Sequence, residues 1–285
     1  MTTLVTGADG GLAATVIRRF AASGGGPIIA SGRAERGGDD YVRCDLSDRA
    51  DVLSMIRRVR PRLVVHLAGS FRNDFATDVV VNALSAGWIL DALLTAGLDA
   101  RIVLVGSAAE YGFVEPGDNP ISETRPLKPI SVYGLTKAMQ TQIAGYYAGG
   151  RGANVVVARL FNVIGPGLSQ RLFVGRAQAQ IERYQRGEID QLEFGNLESE
   201  RDYLTTDEVA DRLALIASRG VRGEVYNVGS GRPVRMRELL RSMLERGGCA
   251  DAPLVERTVK GRAAVIDLPC IYADVRKLDA LATGA

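Results

Sequence analysis

Short, densely apolar runs alternate along this chain with longer amphipathic stretches, and that alternation constrains the fold more than any other feature. The runs Thr2–Thr6, Pro27–Ser31, Tyr41–Cys44, Leu63–Leu67, Arg101–Gly106, Val155–Leu160 and Glu224–Val228 are rich in Val, Ile and Leu and show little two-residue alternation. Strands of that kind are buried on both faces. Between them, helical apolar spacing marks Asp48–Arg60, Asp78–Ala96, Val132–Ala148 and Asp207–Ser218. Strand and helix in succession predict a parallel sheet with right-handed crossovers and helices on both faces, a doubly wound α/β fold. The rhythm breaks at 166–202 and 231–285, where helices at Phe173–Arg186 and Met236–Arg246 mix with short strands at Leu192–Phe194 and Leu254–Val259. We expect a main domain built from 1–165 and 203–230. A smaller C-terminal α/β lobe, 166–202 with 231–285, is expected to cover the carboxyl edge of the sheet.

The first strand runs straight into Thr6-Gly7-Ala8-Asp9-Gly10-Gly11-Leu12-Ala13, spaced GxxGxxA. Gly7 permits the tight turn, Gly10 lets backbone approach a pyrophosphate, and Ala13 lets the helix pack closely on the strand. The N–H groups opening that helix suit phosphate. A glycine-rich loop between a first strand and a first helix predicts a Rossmann dinucleotide site. The second strand ends in Gly32-Arg33, with no Asp or Glu at the tip to bind ribose hydroxyls and repel a 2′-phosphate. Arg33 favours the phosphate, so NADPH is expected ahead of NADH. In Cys44-Asp45-Leu46-Ser47, Asp45 suits either the adenine amino group or, with Ser47, the cap of the next helix.

Tyr133 and Lys137 stand four residues apart at a helix start, so they share a face. A phenol with an ordinary pKa of about 10 exchanges protons poorly at neutral pH, and a neighbouring ammonium, with a nicotinamide cation when the cofactor is oxidised, is expected to lower it. Ser107 follows the fifth strand at the carboxyl edge, where α/β sheets bind ligands, and can hold a carbonyl oxygen beside Tyr133.

Composition excludes several other classes. The 35 Lys and Arg nearly balance the 33 Asp and Glu, so no polybasic surface points to nucleic acid or membrane. Cys44, Cys249 and Cys270 lie far apart with no CxxC, which argues against a disulfide framework or a structural zinc. His66 is the single histidine, so multi-histidine metal sites are excluded; it is expected to be structural. Val79–Leu90 is too short to span a bilayer, and a strand at Thr2–Thr6 leaves no room for a signal peptide. A cytoplasmic location is expected.

The chain resembles the extended short-chain dehydrogenases/reductases that act on nucleotide sugars. TGADGGLA, CDLSD, VVHLAG at Val64–Gly69, Asn82, GSAAEYG, YGLTK and Arg159–Gly167 carry the likeness, with Gly195–Glu198, Arg201-Asp202-Tyr203 and Val225–Gly231. GNLE…RDY, SAAEYG and FNVIGPG bring it nearest to the GDP-4-keto-6-deoxy-mannose reductases. That resemblance implies a catalytic trio of Ser107, Tyr133 and Lys137, with Lys137 also holding the nicotinamide ribose. It implies cofactor contacts at Gly7, Gly10, Gly11, Leu12, Arg33, Asp45, Leu46, Leu67, Ala68, Gly69, Asn82 and Leu160. Substrate contacts fall on Ser107, Asn162, Arg176, Arg201 and Arg262, the arginines matching a nucleotide diphosphate. It also implies a homodimer through Asp78–Ala96 and Val132–Ala148. The chain ends at Leu278–Ala285, where relatives often continue TGWxP, and the Arg262 region lacks their usual RPxE.

Absences then sort the reactions. Dehydratases of this kind place an acid directly after the hydroxyl residue, where this chain has Ala108-Ala109. Epimerase-reductases use a Cys and a His where Ala109 and Gly167 stand. Reduction of a C4 keto group by NADPH remains, GDP-linked ahead of dTDP-linked. A 4-epimerase with tightly bound NAD needs the same trio but no net redox change. A non-catalytic NADP-sensing protein needs no trio at all.

Overall fold

The computed structural model of the chain describes residues 2–257 and 268–283. Its centre is a wholly parallel sheet of β1 (Thr3–Thr6), β2 (Ile28–Gly32), β3 (Tyr41–Arg43), β4 (Leu63–His66), β5 (Arg101–Ser107), β6 (Asn154–Leu160) and β10 (Val225–Val228). The strand order is β3-β2-β1-β4-β5-β6-β10. The order reverses between β1 and β4, and such a switch point opens a crevice at the carboxyl ends of the strands.

Both faces are covered, which is why the strands read as continuous apolar runs. On one face α2 (Arg49–Val59), α4 (Ser85–Thr95) and α5 (Val132–Gly150) close over Val64, Ile89, Ile102, Leu104 and Val155. On the other, α1 (Ala13–Ala22) and α7 (Thr206–Arg219) close over Val5, Val65, Val103, Val156 and Ile216. Asp48 caps α2 by accepting the Ala50 N–H at 2.7 Å. Asp45 and Ser47 therefore do not cap that helix; they bond each other, Ser47 N–H and Oγ both donating to Asp45 Oδ1.

The stretch expected as one helix over 78–96 is a composite. A short α3 (Phe75–Asp78) leads into a wide π-helical turn, Val79–Leu84, and then into α4. By length and composition 75–95 passes for a membrane span, but half of it is buried in the fold, where α4 packs against α2 and α5. Helices break into π turns at functional positions more often than elsewhere, and this turn carries Asn82 inward, fully buried.

Beyond the main sheet, β7 (Asn162–Ile164), β9 (Glu200–Thr205), β11 (Pro233–Arg235) and β13 (Cys270–Ile271) form a second, four-stranded sheet. A parallel pair, β8 (Leu192–Phe194) with β12 (Leu254–Glu256), lies with α6 (Phe173–Gln185) and α8 (Met236–Arg246). These helices and strands share one apolar cluster around Val174, Leu192, Leu240 and Leu244. Motif positions around Asn162 and Asp202 turn out to be strands, too short to announce themselves by pattern. α9 (Arg276–Thr283) returns to the main sheet, where Leu278 joins the core beneath α7.

Candidate active site

The crevice at the switch point is a cavity of about 880 Å³, within the size range of cofactor pockets. Its floor is built by close approach. Gly7 has φ +77°, and a Cβ on it would sit 2.7 Å from the Ala68 nitrogen. The β1–α1 and β4–α3 loops can thus touch only through glycine. A Cβ on Gly11 would lie 2.5 Å from the Gly167 carbonyl oxygen, so the same loop also meets the segment after β7. Of the expected cofactor residues, Gly7, Gly10, Arg33, Asp45, Leu46, Leu67, Ala68 and Gly69 line this cavity. Leu12 sits at the N-cap of α1, and Leu160, ending β6, pairs in register with Ser107 at the sheet edge. Asn82 lies fully buried behind the lining residues Gly69 and Ser70. Its Oδ1 accepts the Ser70 N–H at 2.6 Å, and its Nδ2 donates to Ser70 O at 2.9 Å and to Thr136 Oγ1 at 2.8 Å. It clamps the cavity wall to α5.

The catalytic candidates meet at the carboxyl end of β5. Ser107 ends that strand and caps a 3₁₀ turn, Ala108–Tyr111. Ser131 caps α5 by accepting the Gly134 N–H at 3.0 Å, and the bare Gly134 backbone presses on the Ala109 carbonyl. This contact brings the first turn of α5 to Ser107, whose side chain lies close enough to the Tyr133 phenol to favour its ionised form. Phe71, a cavity-lining residue, sets its ring edge-on to Tyr133 at 4.7 Å between centroids. The phenol ring is therefore in contact with the wall of the cofactor cavity through Phe71. Phe71 was not legible in sequence, since one aromatic in a loop after VVHLAG carries no pattern.

One expectation is corrected here. The Tyr133 pKa is raised rather than lowered: burial pushes the phenol up to about 12, the Ser107 hydroxyl pulling against this while Glu110 and Asp78 add to it. The Lys137 ammonium, 3% exposed, donates instead to the Val105 carbonyl at 2.5 Å. Burial lowers its own pKa to about 8, Glu110 opposing. A buried site without a partner charge favours neutral phenol, and that cost outweighs any stabilisation of phenolate. Tyr133 is thus a loaded proton donor at neutral pH.

Beneath Ser107 lies a buried polar cluster. Glu110 Oε1 accepts the Ser107 N–H at 2.8 Å; Oε2 accepts from Thr141 Oγ1 at 2.8 Å and from Arg159 Nη2 at 2.9 Å. Arg159 also donates to the Tyr111 hydroxyl at 3.0 Å. The carboxylate points into the interior, away from the cavity. His66 is fully buried; its Nδ1 shares a 2.7 Å hydrogen bond with Thr6 Oγ1. Burial, with Lys137 nearby, pushes its pKa down to about 3, so it is neutral.

Of the expected substrate residues, Asn162 and Arg201 sit on the paired strands β7 and β9. Asn162 Nδ2 donates to the Asp202 carbonyl at 3.0 Å, joining β7 to β9. Arg201, on β9, donates to the Glu200 and Leu268 carbonyls. Arg176 is exposed on α6. Arg262 lies outside the described residues. Among the described residues no group of His, Cys, Asp and Glu is placed to hold a metal ion, and the three cysteines are free.

Residues 3–229 match the family described as NAD dependent epimerase/dehydratase family. The chain belongs to that family. Its relatives are NAD(P)-dependent oxidoreductases, epimerases and dehydratases of the extended short-chain dehydrogenase/reductase type. Over 192 residues, 65% of this chain, it is 32% identical to a GDP-6-deoxy-D-mannose reductase of Pseudomonas aeruginosa. That match spans 63% of the reductase's length. It is 27% identical to a UDP-glucose 4-epimerase of Mycolicibacterium smegmatis over 89% of this chain and 85% of the other. The structure of RMD from Pseudomonas aeruginosa complexed with NADPH superposes with a TM-score of 0.84 at 25% identity, covering 99% of this chain and 92% of that one. Family members' cofactor is NAD(P), and the glycine-floored cavity fits a dinucleotide: it has the volume and backbone close enough to meet phosphates.

Proposed function

We propose that this family member reduces the C4 keto group of a nucleotide-activated 4-keto-6-deoxyhexose, with NADPH as donor and the GDP-linked sugar ahead of the dTDP-linked one. The observation that carries the reading is the side-by-side placement of the Ser107 hydroxyl and the Tyr133 phenol next to the cavity residue Phe71, with methyl groups at Ala108 and Ala109 following Ser107. Two hydroxyls come together where a carbonyl oxygen would sit, and the nearest carboxylate, Glu110, is fully buried and held by Thr141 and Arg159 rather than free to protonate a departing sugar hydroxyl. Likeness to the GDP-6-deoxy-D-mannose reductase supports the substrate class.

Bound in the cavity, NADPH would supply the hydride for C4. Ser107 and Tyr133 donate hydrogen bonds to the carbonyl oxygen as negative charge grows there; removing one such donor costs about 10²–10³ in turnover. Tyr133, held protonated by burial, gives Oη–H to the new alkoxide and regains a proton from solvent. Lys137, anchored on Val105, orients the nicotinamide ribose. Gly7, Gly10 and Gly11 with the start of α1 hold the pyrophosphate, and Leu67, Ala68, Gly69 and Leu160 wall the rest. Arg33 takes the 2′-phosphate. Segments 166–202 and 231–285 supply the nucleotide-sugar lobe, apart from α9, which packs on the main sheet, with Asn162, Arg176 and Arg201 presented to the substrate. Leu84, Leu135 and Met139 leave an exposed apolar face on the π turn and α5, which suits a homodimer in the cytoplasm.

The test is NADPH consumption with a panel of GDP- and dTDP-linked 4-keto-6-deoxy sugars, for wild type and Tyr133→Phe. The expected result is turnover on the GDP-linked sugar and a loss of at least about 10² in the variant with NADPH binding kept. No NADPH oxidation on any sugar overturns the reading. Interconversion of C4 epimers with copurified NAD and no net redox favours the epimerase reading.

A further inference from the structure

The tip of β2 is where a dinucleotide-binding sheet sorts its cofactors: an acid there accepts ribose hydroxyls, whereas arginine accommodates a 2′-phosphate. β2 ends Ser31-Gly32 and continues to Arg33, with no acid of its own. The fold supplies one from another loop. Asp9, after β1, reaches across Gly32: its Oδ2 accepts the Arg33 N–H at 2.9 Å and its Oδ1 accepts Arg36 Nη2 at 2.9 Å. A Cβ on Gly32 would collide with this carboxylate and with the Tyr41 hydroxyl, so glycine makes room for the acid. Arg36 is steadied over the Tyr41 ring, 5.3 Å from its centroid. Ser31, 1% exposed, lines the same cavity, and its Oγ has no hydrogen-bond partner. The Arg33 side chain faces a second carboxylate, Asp45, whose charge it favours after the larger effect of the Ser47 hydrogen bonds.

We propose that Asp9 is a specificity-determining residue of the cofactor site, receiving a hydroxyl of the adenosine ribose and opposing the 2′-phosphate that Arg33 and Arg36 attract. This rests on the cofactor placement in the proposed function. A 2′-phosphate carries roughly −1.5 to −2 charges at neutral pH. It enters beside the Asp9 carboxylate and competes with it for Arg36. Repulsion and competition act in the same direction, so Asp9 narrows the margin of NADPH over NADH that the arginines create. The unpartnered Ser31 hydroxyl offers a further group for the ribose.

The experiment is titration of NADPH and of NADH into the purified protein, followed by nucleotide fluorescence with no sugar present. The outcome is then independent of which sugar is reduced. In Asp9→Asn the NADPH:NADH affinity ratio is expected to rise roughly tenfold, the size of a lost close charge contact. In Arg36→Met the ratio is expected to fall below that of wild type. Asp9→Ser, which keeps a small acceptor for the Arg33 N–H, gives the same readout if the amide variant misfolds. An unchanged ratio in the Asp9 variants, or one shifted toward NADH, overturns the proposal. Failure of wild type to bind either cofactor overturns the cofactor placement itself.

Discussion

Replacing Glu110 with glutamine isolates the charge that underlies Ser107. Glu110 is fully buried and Arg159 is 2% exposed, with 2.9 Å between them. The carboxylate accepts from the Ser107 N–H, the Thr141 hydroxyl and the Arg159 guanidinium. An amide of the same shape has one acceptor oxygen. If that oxygen keeps Ser107, the NH₂ group faces the guanidinium, donor against donor, and the Arg159 charge stays buried without its counter-charge. Removing one partner of a buried pair costs about 3–5 kcal/mol. Arg159 retains the Tyr111 hydroxyl, 3.0 Å away, which favours the lower end of that range. At about 2–4 °C per kcal/mol, the melting temperature should fall by roughly 6–12 °C. Calorimetry and urea unfolding of Glu110→Gln, Arg159→Met and the double variant measure this. The double variant, with no charge left to bury, should recover at least half of the loss. A single variant within about 1 kcal/mol of wild type would refute the claim that this ion pair holds the corner. Equal losses in single and double variants would assign the effect to shape rather than charge.

Lys137 gives stability a pH dependence. The unfolded chain binds this proton below its ordinary value of 10.5, the folded chain only below about 8, because burial disfavours the ammonium. Stability therefore rises with pH between those values, and Lys137→Met should flatten the rise. Urea unfolding from about pH 8 to 9.5 should show wild type gaining about 1–2 kcal/mol on the variant; parallel curves would contradict the buried-ammonium account. Asn82→Leu strands the Ser70 N–H and the Ser70 carbonyl and removes the bond that the Thr136 hydroxyl accepts, leaving that hydroxyl its donor bond to the Tyr133 carbonyl. It should cost about 2–4 kcal/mol in urea unfolding and weaken NADPH binding through the displaced wall; unaltered stability would show that the clamp is not needed.

The main sheet was legible because its strands are buried on both faces and its helices on one, so each wrote its own periodicity. The expected strand at Arg101–Gly106 and helix at Val132–Ala148 differ from the observed β5 and α5 by only one or two residues at an end. β7, β9, β11 and β13 were not legible: strands of two to six residues in a small sheet leave too few positions for a pattern. In the site, the glycine loop, Ser107 and Tyr133 could be named because spacing and order carried them. Phe71 and Asn82's clamp could not be derived, since both act through partners distant in the chain or through an unpatterned loop.

Residue order alone determined the parallel sheet, the dinucleotide loop and the identity of the hydroxyl, phenol and amine near the sheet edge. Those depend on local periodicity and on glycine's freedom at Gly7, which travel with the sequence. Only the tertiary structure decided the electrostatics. It turned Lys137 to Val105, raised Tyr133 rather than lowering it, sent Glu110 to Arg159 and brought Asp9 to the end of β2. The reason is physical: a charge's effect depends on distance and on surrounding dielectric, and folding sets both by joining residues that the chain keeps far apart.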